Sequence, residues 1–440
     1  MRTKPMKLLP LAAALALVGT TASATEGFSY NGYFRAGPGA GYGNHDRTCF
    51  QAPGADWKYR LGNECDYYGE FGLNYGMGKD DGPNFQLHWM PNYYTGGVSD
   101  AASLGGGPAQ TVKTEQAYVE ARGMDFMPNT TFWAGTRFYG RADVHIVDTF
   151  FVNMSGTGGG ADFGLGGKPD TAASGPTLGV AYFRSDSSTT AFGGFPATVS
   201  NGASSTGAPG SRINVDFRDL TIFPNNRLRF TGVYTRGDFN AAHSPNGLKG
   251  TDGWGGSVQW NWDLPSIGGG NVLWVQYAQG SAYANMGFGG LTDPSSTKTQ
   301  RIIESVTWQV GNLGGQAILG YTEHKVAAGK TKYISMGGRA SWAFTNNFKL
   351  VGEAGYDKVD NASGPDTNML KLTIAPTVAF DKGFWARPEI RLYGTYGSWN
   401  GGANDAATLS GTATNPVNGY GDLGGKTNAF TYGIQFEAWW

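Results

Sequence analysis

Apolar and polar residues alternate one by one along most of this chain, the period of a β-strand with one dry and one wet face. At the C-terminus, Tyr432, Ile434, Phe436, Ala438 and Trp440 share one face. Thr431, Gly433, Gln435, Glu437 and Trp439 share the other. The same split sets Phe28, Tyr30 and Phe34 against Asn31, Tyr33 and Arg35. It recurs with Tyr67, Phe71 and Leu73 against Tyr68, Glu70 and Asn74, and with Ile390, Leu392 and Tyr396 against Trp385, Arg387, Glu389 and Arg391. The less polar face is aromatic and alanine-rich rather than aliphatic, which suits lipid better than the core of a soluble sandwich. Short turns such as Phe223-Pro224-Asn225-Asn226 separate some strands. Long Gly/Ser/Ala/Thr-rich loops are expected at Pro91–Gln110, Gly156–Ser174, Ser185–Ser211 and Ser398–Gly425. The pattern predicts one all-β domain, a transmembrane antiparallel β-barrel with short periplasmic turns and long external loops. At roughly 23 residues per strand and connection, it has about 18 strands.

Composition supports this reading. Glycine is 71 of 440 residues, aromatics reach 14% and charged residues only 15%, against about 25% charged in soluble domains. A net charge of −1 gives no basic field for nucleic acid. Past the N-terminus no apolar run approaches the ~18 residues of a helical span. Arg2, Lys4 and Lys7, then Leu8–Val18, then Ala22-Ser23-Ala24 read as a secretory signal cleaved after residue 24, leaving 25–440 as the barrel. Export places Cys49 and Cys65 in an oxidising compartment, where they are expected to pair. Two thiols alone are half a tetrahedral metal site.

Trp133–Ser155 breaks the alternation. It packs Arg137, Arg141, Asp143 and Asp148 among aromatics, a density of charge that is costly in a dry core or against lipid. A loop folded into a water-filled lumen tolerates it, because rings of charge are how pores select. Gly419-x-Gly421-x-x-Gly424 matches a dinucleotide fingerprint as a string but opens no helix. In Gly425-Lys426-Thr427, which imitates a phosphate loop, Tyr420 stands where the first glycine belongs. His45, His88, His145, His243 and His324 have no metal-ligand spacing. Asp143 and Asp148 read as a charge-balanced constriction rather than an acid/base pair. No enzyme, metal or cofactor is expected.

Cys49-Phe50-Gln51 with Arg60-Leu61-Gly62-Asn63-Glu64-Cys65 resembles maltoporin, the maltodextrin-specific porin family of Gram-negative outer membranes. The likeness continues at Trp133–Tyr139, Asp143-Val144-His145, Asp252-Gly253-Trp254, Trp385-Ala386-Arg387-Pro388 and Trp439-Trp440. It implies an 18-stranded barrel, a homotrimer and passive diffusion of malto-oligosaccharides along stacked aromatics flanked by polar tracks. Carried over by position, the stacking residues are Tyr33, Tyr68, Trp385 and Trp439. Each shares the wet face with Arg35, Glu70, Arg387 or Glu437. The tracks are Arg35, Arg60, Glu70, Arg141, Asp143 and Asp148. Cys49 and Cys65 correspond to the family's disulfide. Trp440, with outward parity, reads as an interfacial girdle residue.

The chain departs from the family at several positions. The constriction tyrosine falls on Phe150, which keeps a stacking ring, and an aspartate falls on Asn153. A track arginine falls on Thr114, beside Lys113, and the mid-slide phenylalanine falls on Gly270. Trp274 shares a face with Gln276 and is offered as the substitute; Tyr93 or Tyr94 is offered for a loop tryptophan that a neighbouring subunit would supply. These changes keep alternatives open: a channel for sucrose or other oligosaccharides, or a less selective porin. Long external loops also suit phage attachment, and the cargo needs a periplasmic sugar-binding protein to take it onward.

Overall fold

The computed structural model describes residues 27–43, 47–79, 82–96, 110–167, 169, 175–185, 209–240, 248–409 and 425–440. The expected signal segment, most of three expected loops and the Gly419–Gly424 string lie outside these residues. Alternation does what the chain pattern requires: a 19-stranded antiparallel sheet closes on itself. Tyr33 faces Trp439 and Ala36 faces Phe436 across the seam. One of the nineteen, Gly39–Gly41, is a three-residue extension on the last strand, so 18 long strands make the wall. Closure removes the unpaired edges that an open sheet presents.

Ile374, Val378 and Leu392 project outward and are more than half exposed, whereas the inward Glu437, Thr377 and Asp216 are fully buried. Pro224-Asn225 joins two strands at the end that carries both chain termini, with Asn225 left-handed at φ 65°. Asp125-Phe126 and Gly311-Asn312 make equally short turns at that end. The opposite end carries most of the longer connections, although Ala327-Ala328 there is also a two-residue turn. Residues 165–176 and 380–388 make longer connections at the end with the termini, which puts the second half of the segment expected as the external loop Gly156–Ser174 at that end instead.

The loop expected at Gly156–Ser174 is corrected in its first half. Gly156–Gly164 is a wall strand, paired with Met127–Arg137 and Thr177–Ser185. Its sequence, GTGGGADFG, has few side chains to alternate, so periodicity is silent there. Glycine is required by crowding: a Cβ on Gly158 would lie 2.0 Å from the Tyr182 carbonyl oxygen, and one on Gly160 2.9 Å from Trp133 Nε1. Pro91–Gly96 likewise completes a wall strand, Asn84–Gly96, and Gly401–Leu409 is a short helix rather than loop.

Two segments fold into the barrel and build an apolar core inside it, joined by Ala282, Ala284 and Met286 from the connection after Gly280. The first is the connection closed by Cys49–Cys65, with an S–S distance of 2.12 Å. Its Trp57 ring lies 4.7 Å from Tyr333 and 5.2 Å from Phe151, and its Tyr59 ring sits where Gly337 and Gly355 leave room. The second is residues 138–155, a hairpin of Ala142–Val144 and Thr149–Val152 around a single 3₁₀ turn, His145–Val147. Wall side chains bind this hairpin's backbone. Arg212 donates to the Met154 and Ser155 carbonyls at 2.6 and 2.9 Å. Arg229 donates to Gly140 O at 2.7 Å, and Gln276 to Phe151 O at 2.7 Å. Ile146 N–H donates to Gln316 at 3.3 Å. These buried backbone groups thus find partners, and they fix the hairpin's backbone to the wall on that side. The expectation of a folded-in loop holds for 138–155, whereas Trp133–Arg137 belongs to the wall.

Candidate functional site

With the hairpin and the disulfide loop packed on the far wall, open space remains on the near side. It lies against strands Gly27–Ala36, Asp66–Gly78, Asn84–Gly96, Gln110–Met124 and Asn428–Trp439. The cavity has a volume of ≈770 Å³ and is lined by Tyr33, Tyr68, Tyr94, Phe150 and Trp439 together with Arg35, Arg60, Glu70, Arg141, Asp143 and Asp148.

Strand register lines up the aromatics. Tyr94 stands directly opposite Tyr68 across one strand pair, and Tyr33 directly opposite Trp439 across another. Ring centroids are 6.5 Å apart for Tyr94 and Tyr68, and 6.2 Å for Tyr68 and Tyr33. At the hairpin tip the His145 ring lies between Trp439, at 5.6 Å, and Trp385, at 5.5 Å. Trp385 sits on the turn after Ala379, outside the cavity lined by the others.

The remaining two stacking candidates differ. Arg141 lies 3.7 Å over Phe150 and 3.9 Å over Phe138, so the Phe150 ring carries a guanidinium. Trp274 points inward as its parity requires, but it is fully buried with Phe151 packed 5.4 Å away. It presents no face to the bore, and the substitution for Gly270 is withdrawn.

Arg35, Arg60 and Asp148 belong to one connected network of charges. Arg35 reaches Glu64 at 2.6 Å, Asp66 at 2.8 Å and Asp148 at 2.9 Å. Arg60 pairs with Glu64 at 2.8 Å and Glu437 at 3.2 Å, and donates to the Tyr33 hydroxyl at 2.5 Å. Glu437 in turn binds Arg387 at 2.9 Å and Arg391 at 2.5 Å, while Arg387 backs the Trp439 ring at 4.2 Å. Tyr68 donates its hydroxyl to Glu70. Rings are therefore held by groups that also offer hydrogen bonds to anything lying against them.

Two carboxylates of the hairpin, which lies in the lumen and does not itself cross the membrane, are driven apart. Burial pushes Asp143 up to about 6, against the pull of Arg141 and with the repulsion of Asp148 added. For Asp148 burial also favours the neutral form, but Arg60 and Arg35 outweigh it and hold the carboxyl well below its usual range. Between pH 7 and 5 Asp143 takes up a proton while Asp148 stays charged. The bore then loses negative charge, so the cation-to-anion permeability ratio should fall with a midpoint near pH 6. Reversal potentials in a salt gradient measure this, and the Asp143→Asn variant should show the low ratio at every pH. A pH-independent ratio in the unmodified protein would contradict the assignment.

At Lys113 and Thr114 the strand Gln110–Met124 escapes simple parity. A register shift between Met90 and Pro91 pairs Thr114 with Pro91 and Lys113 with Asn92. Asn92 opposes Glu70, so the bulge puts Lys113 on the lumen side and leaves Thr114 accepting from the outward Trp89 at 3.2 Å. Tyr94 extends the aromatic path within the same chain. His145 and Glu437 were visible only as a scattered histidine and a parity marker. Asn153 instead ties the hairpin end, donating its N–H to Asn285 O at 2.7 Å.

A family model described as LamB porin matches residues 28–440. Among solved structures the chain is similar to a variant of Rh. blastica porin, at 13% identity over 94% of this chain and 100% of that one, with a TM-score of 0.40. Salmonella typhi OmpF in complex with daunomycin aligns at 11% identity over 94% and 98%, with a TM-score of 0.45. Pseudomonas aeruginosa OpdQ aligns at 9% identity over 94% and 99%, with a TM-score of 0.47.

Proposed function

The chain belongs to the LamB porin family, and from that membership we propose that this outer-membrane porin carries maltose and maltodextrins by facilitated passive diffusion. The observation that supports the cargo is the run Tyr94, Tyr68, Tyr33 and Trp439 on adjacent strands, with charged groups beside every ring. A glucose unit has apolar C–H faces that stack on flat rings, and hydroxyls round its edge that need donors and acceptors. Several weak sites in file let such a chain enter and still leave. The reading includes a homotrimer, as the family resemblance implies, and a signal segment removed on export.

A second reading is favoured by Phe150. Its ring packs on Arg141 and lacks a hydroxyl, which shifts preference toward sucrose or another compact oligosaccharide. Ion-current block in planar bilayers separates the two. Maltotriose should block the reconstituted channel at lower concentration than raffinose, a trisaccharide of equal size. Equal block by both would end the maltodextrin proposal, and stronger block by sucrose than by maltose would favour the second reading.

A further inference from the structure

The outer surface of the wall carries a row of three lysines, of which only Lys330 has an ion-pair partner among the described residues. Lys298 stands directly opposite Lys325, and Lys325 directly opposite Lys330, on three consecutive strands. All three point outward: the intervening Thr299 and His324 hydrogen-bond each other on the inner side, while Lys330 pairs at 2.7 Å with the outward Glu323. Lys325 and Lys330 are exposed, and neither Lys298 nor Lys325 forms an ion pair among the described residues. Lys332, opposite Glu323, adds a further positive charge next to the row.

Like charges placed directly opposite on one sheet face destabilise the pairing. Lysines on sheet edges are often explained as guards against edge-to-edge association, but this sheet is closed and these three strands are interior to it. The row also has a definite height. It lies at the end of the wall away from the termini, two residues beyond Glu323 and four beyond Tyr321, whose flank is the outward Ile302 and Ile334. A tyrosine on that face marks where the apolar band meets the polar headgroup layer. The lysines therefore sit at headgroup level, where basic side chains gain most from anionic lipid.

The geometry points to a phosphate-binding row on the barrel's outer rim, in which Lys298, Lys325 and Lys330 hold the phosphoryl groups of an anionic lipid headgroup in the external leaflet. The lipid supplies the negative charge that Lys298 and Lys325 do not find among the described residues, where the outward Glu323 is drawn to Lys330. Its chains lie against Tyr321, Ile302 and Ile334. This surface faces away from the bore and does not depend on what the channel carries.

Native mass spectrometry of the purified full-length protein, titrated with phosphatidylglycerol or with phosphatidylcholine of the same chains, tests it. Phosphatidylglycerol should be retained in preference to phosphatidylcholine. The triple variant Lys298→Gln, Lys325→Gln, Lys330→Gln should bind it on the order of a hundredfold more weakly. The control Lys79→Gln, Lys382→Gln, on the opposite rim, should bind as the parent does. Heat-dependent gel mobility confirms that each variant is folded. Undiminished binding in the triple variant, or equal loss in the control, would overturn the proposal. Displacement by inorganic phosphate as effective as by the lipid would do so too, because it would make the row a site for free anions rather than for headgroups.

Discussion

Exchanging Glu437 for glutamine is expected to destabilise the folded barrel by about 3–5 kcal/mol, the usual cost of removing one partner from a buried ion pair. Glu437 is fully buried and lies within 3.2 Å of the guanidinium groups of Arg60, Arg387 and Arg391. A glutamine keeps the shape and one acceptor oxygen but removes the charge that balances three cations. Arg391 and Arg387 would retain Glu389, and Arg60 would retain Glu64, so the barrel should still close. The midpoint of urea unfolding in lipid vesicles should fall, and the same variant should bind sugar less tightly. Tyr33 donates its hydroxyl to Glu437 at 3.0 Å, and Arg387 supports Trp439, so both rings lose a fixed neighbour. An unchanged unfolding midpoint would mean that the network is not what holds this side of the bore.

The parts of this arrangement that were legible in the sequence are those that alternation encodes. Parity separates Tyr33, Tyr68 and Trp439 from Phe34, Tyr67 and Trp440, because in a single-layer wall successive side chains must face opposite media. Parity is silent where side chains vanish, as in Gly156–Gly164, and it inverts past a bulge, as at Met90/Pro91, where Lys113 rather than Thr114 turns inward. It also says nothing of what covers an inward residue. Trp274 has the right face but lies beneath the hairpin, and that cover comes from a segment more than a hundred residues away. The hairpin's own charges signalled that it entered the lumen. Which wall it would lean on depended on Arg212, Arg229 and Gln276, scattered over three strands with no motif joining them.

Trp439 and Trp274 therefore make the sharper comparison for the stacking path itself. Both are tryptophans on inward positions, yet Trp439 lines the cavity and Trp274 does not. Trp439→Ala should weaken maltotriose block by about 1–3 kcal/mol, the range found when an aromatic platform is removed from beneath a stacked ring. That corresponds to roughly 5- to 150-fold in the blocking concentration. Trp274→Ala should leave the blocking concentration close to that of the parent and instead cost about 3–5 kcal/mol of stability, as expected of a large side chain deleted from a packed core. Tyr68→Ala combined with Trp439→Ala should lose more than either alone, since a sugar chain long enough to span Tyr68, Tyr33 and Trp439 touches all three rings at once. Current-fluctuation analysis separates entry from exit. The loss should appear mainly as faster release, because removing a platform takes away contacts made only after the sugar has arrived. If Trp274→Ala weakened block as much as Trp439→Ala while the unfolding midpoint stayed put, the sugar would be travelling past the sealed side of the hairpin, and the near-wall path would have to be given up.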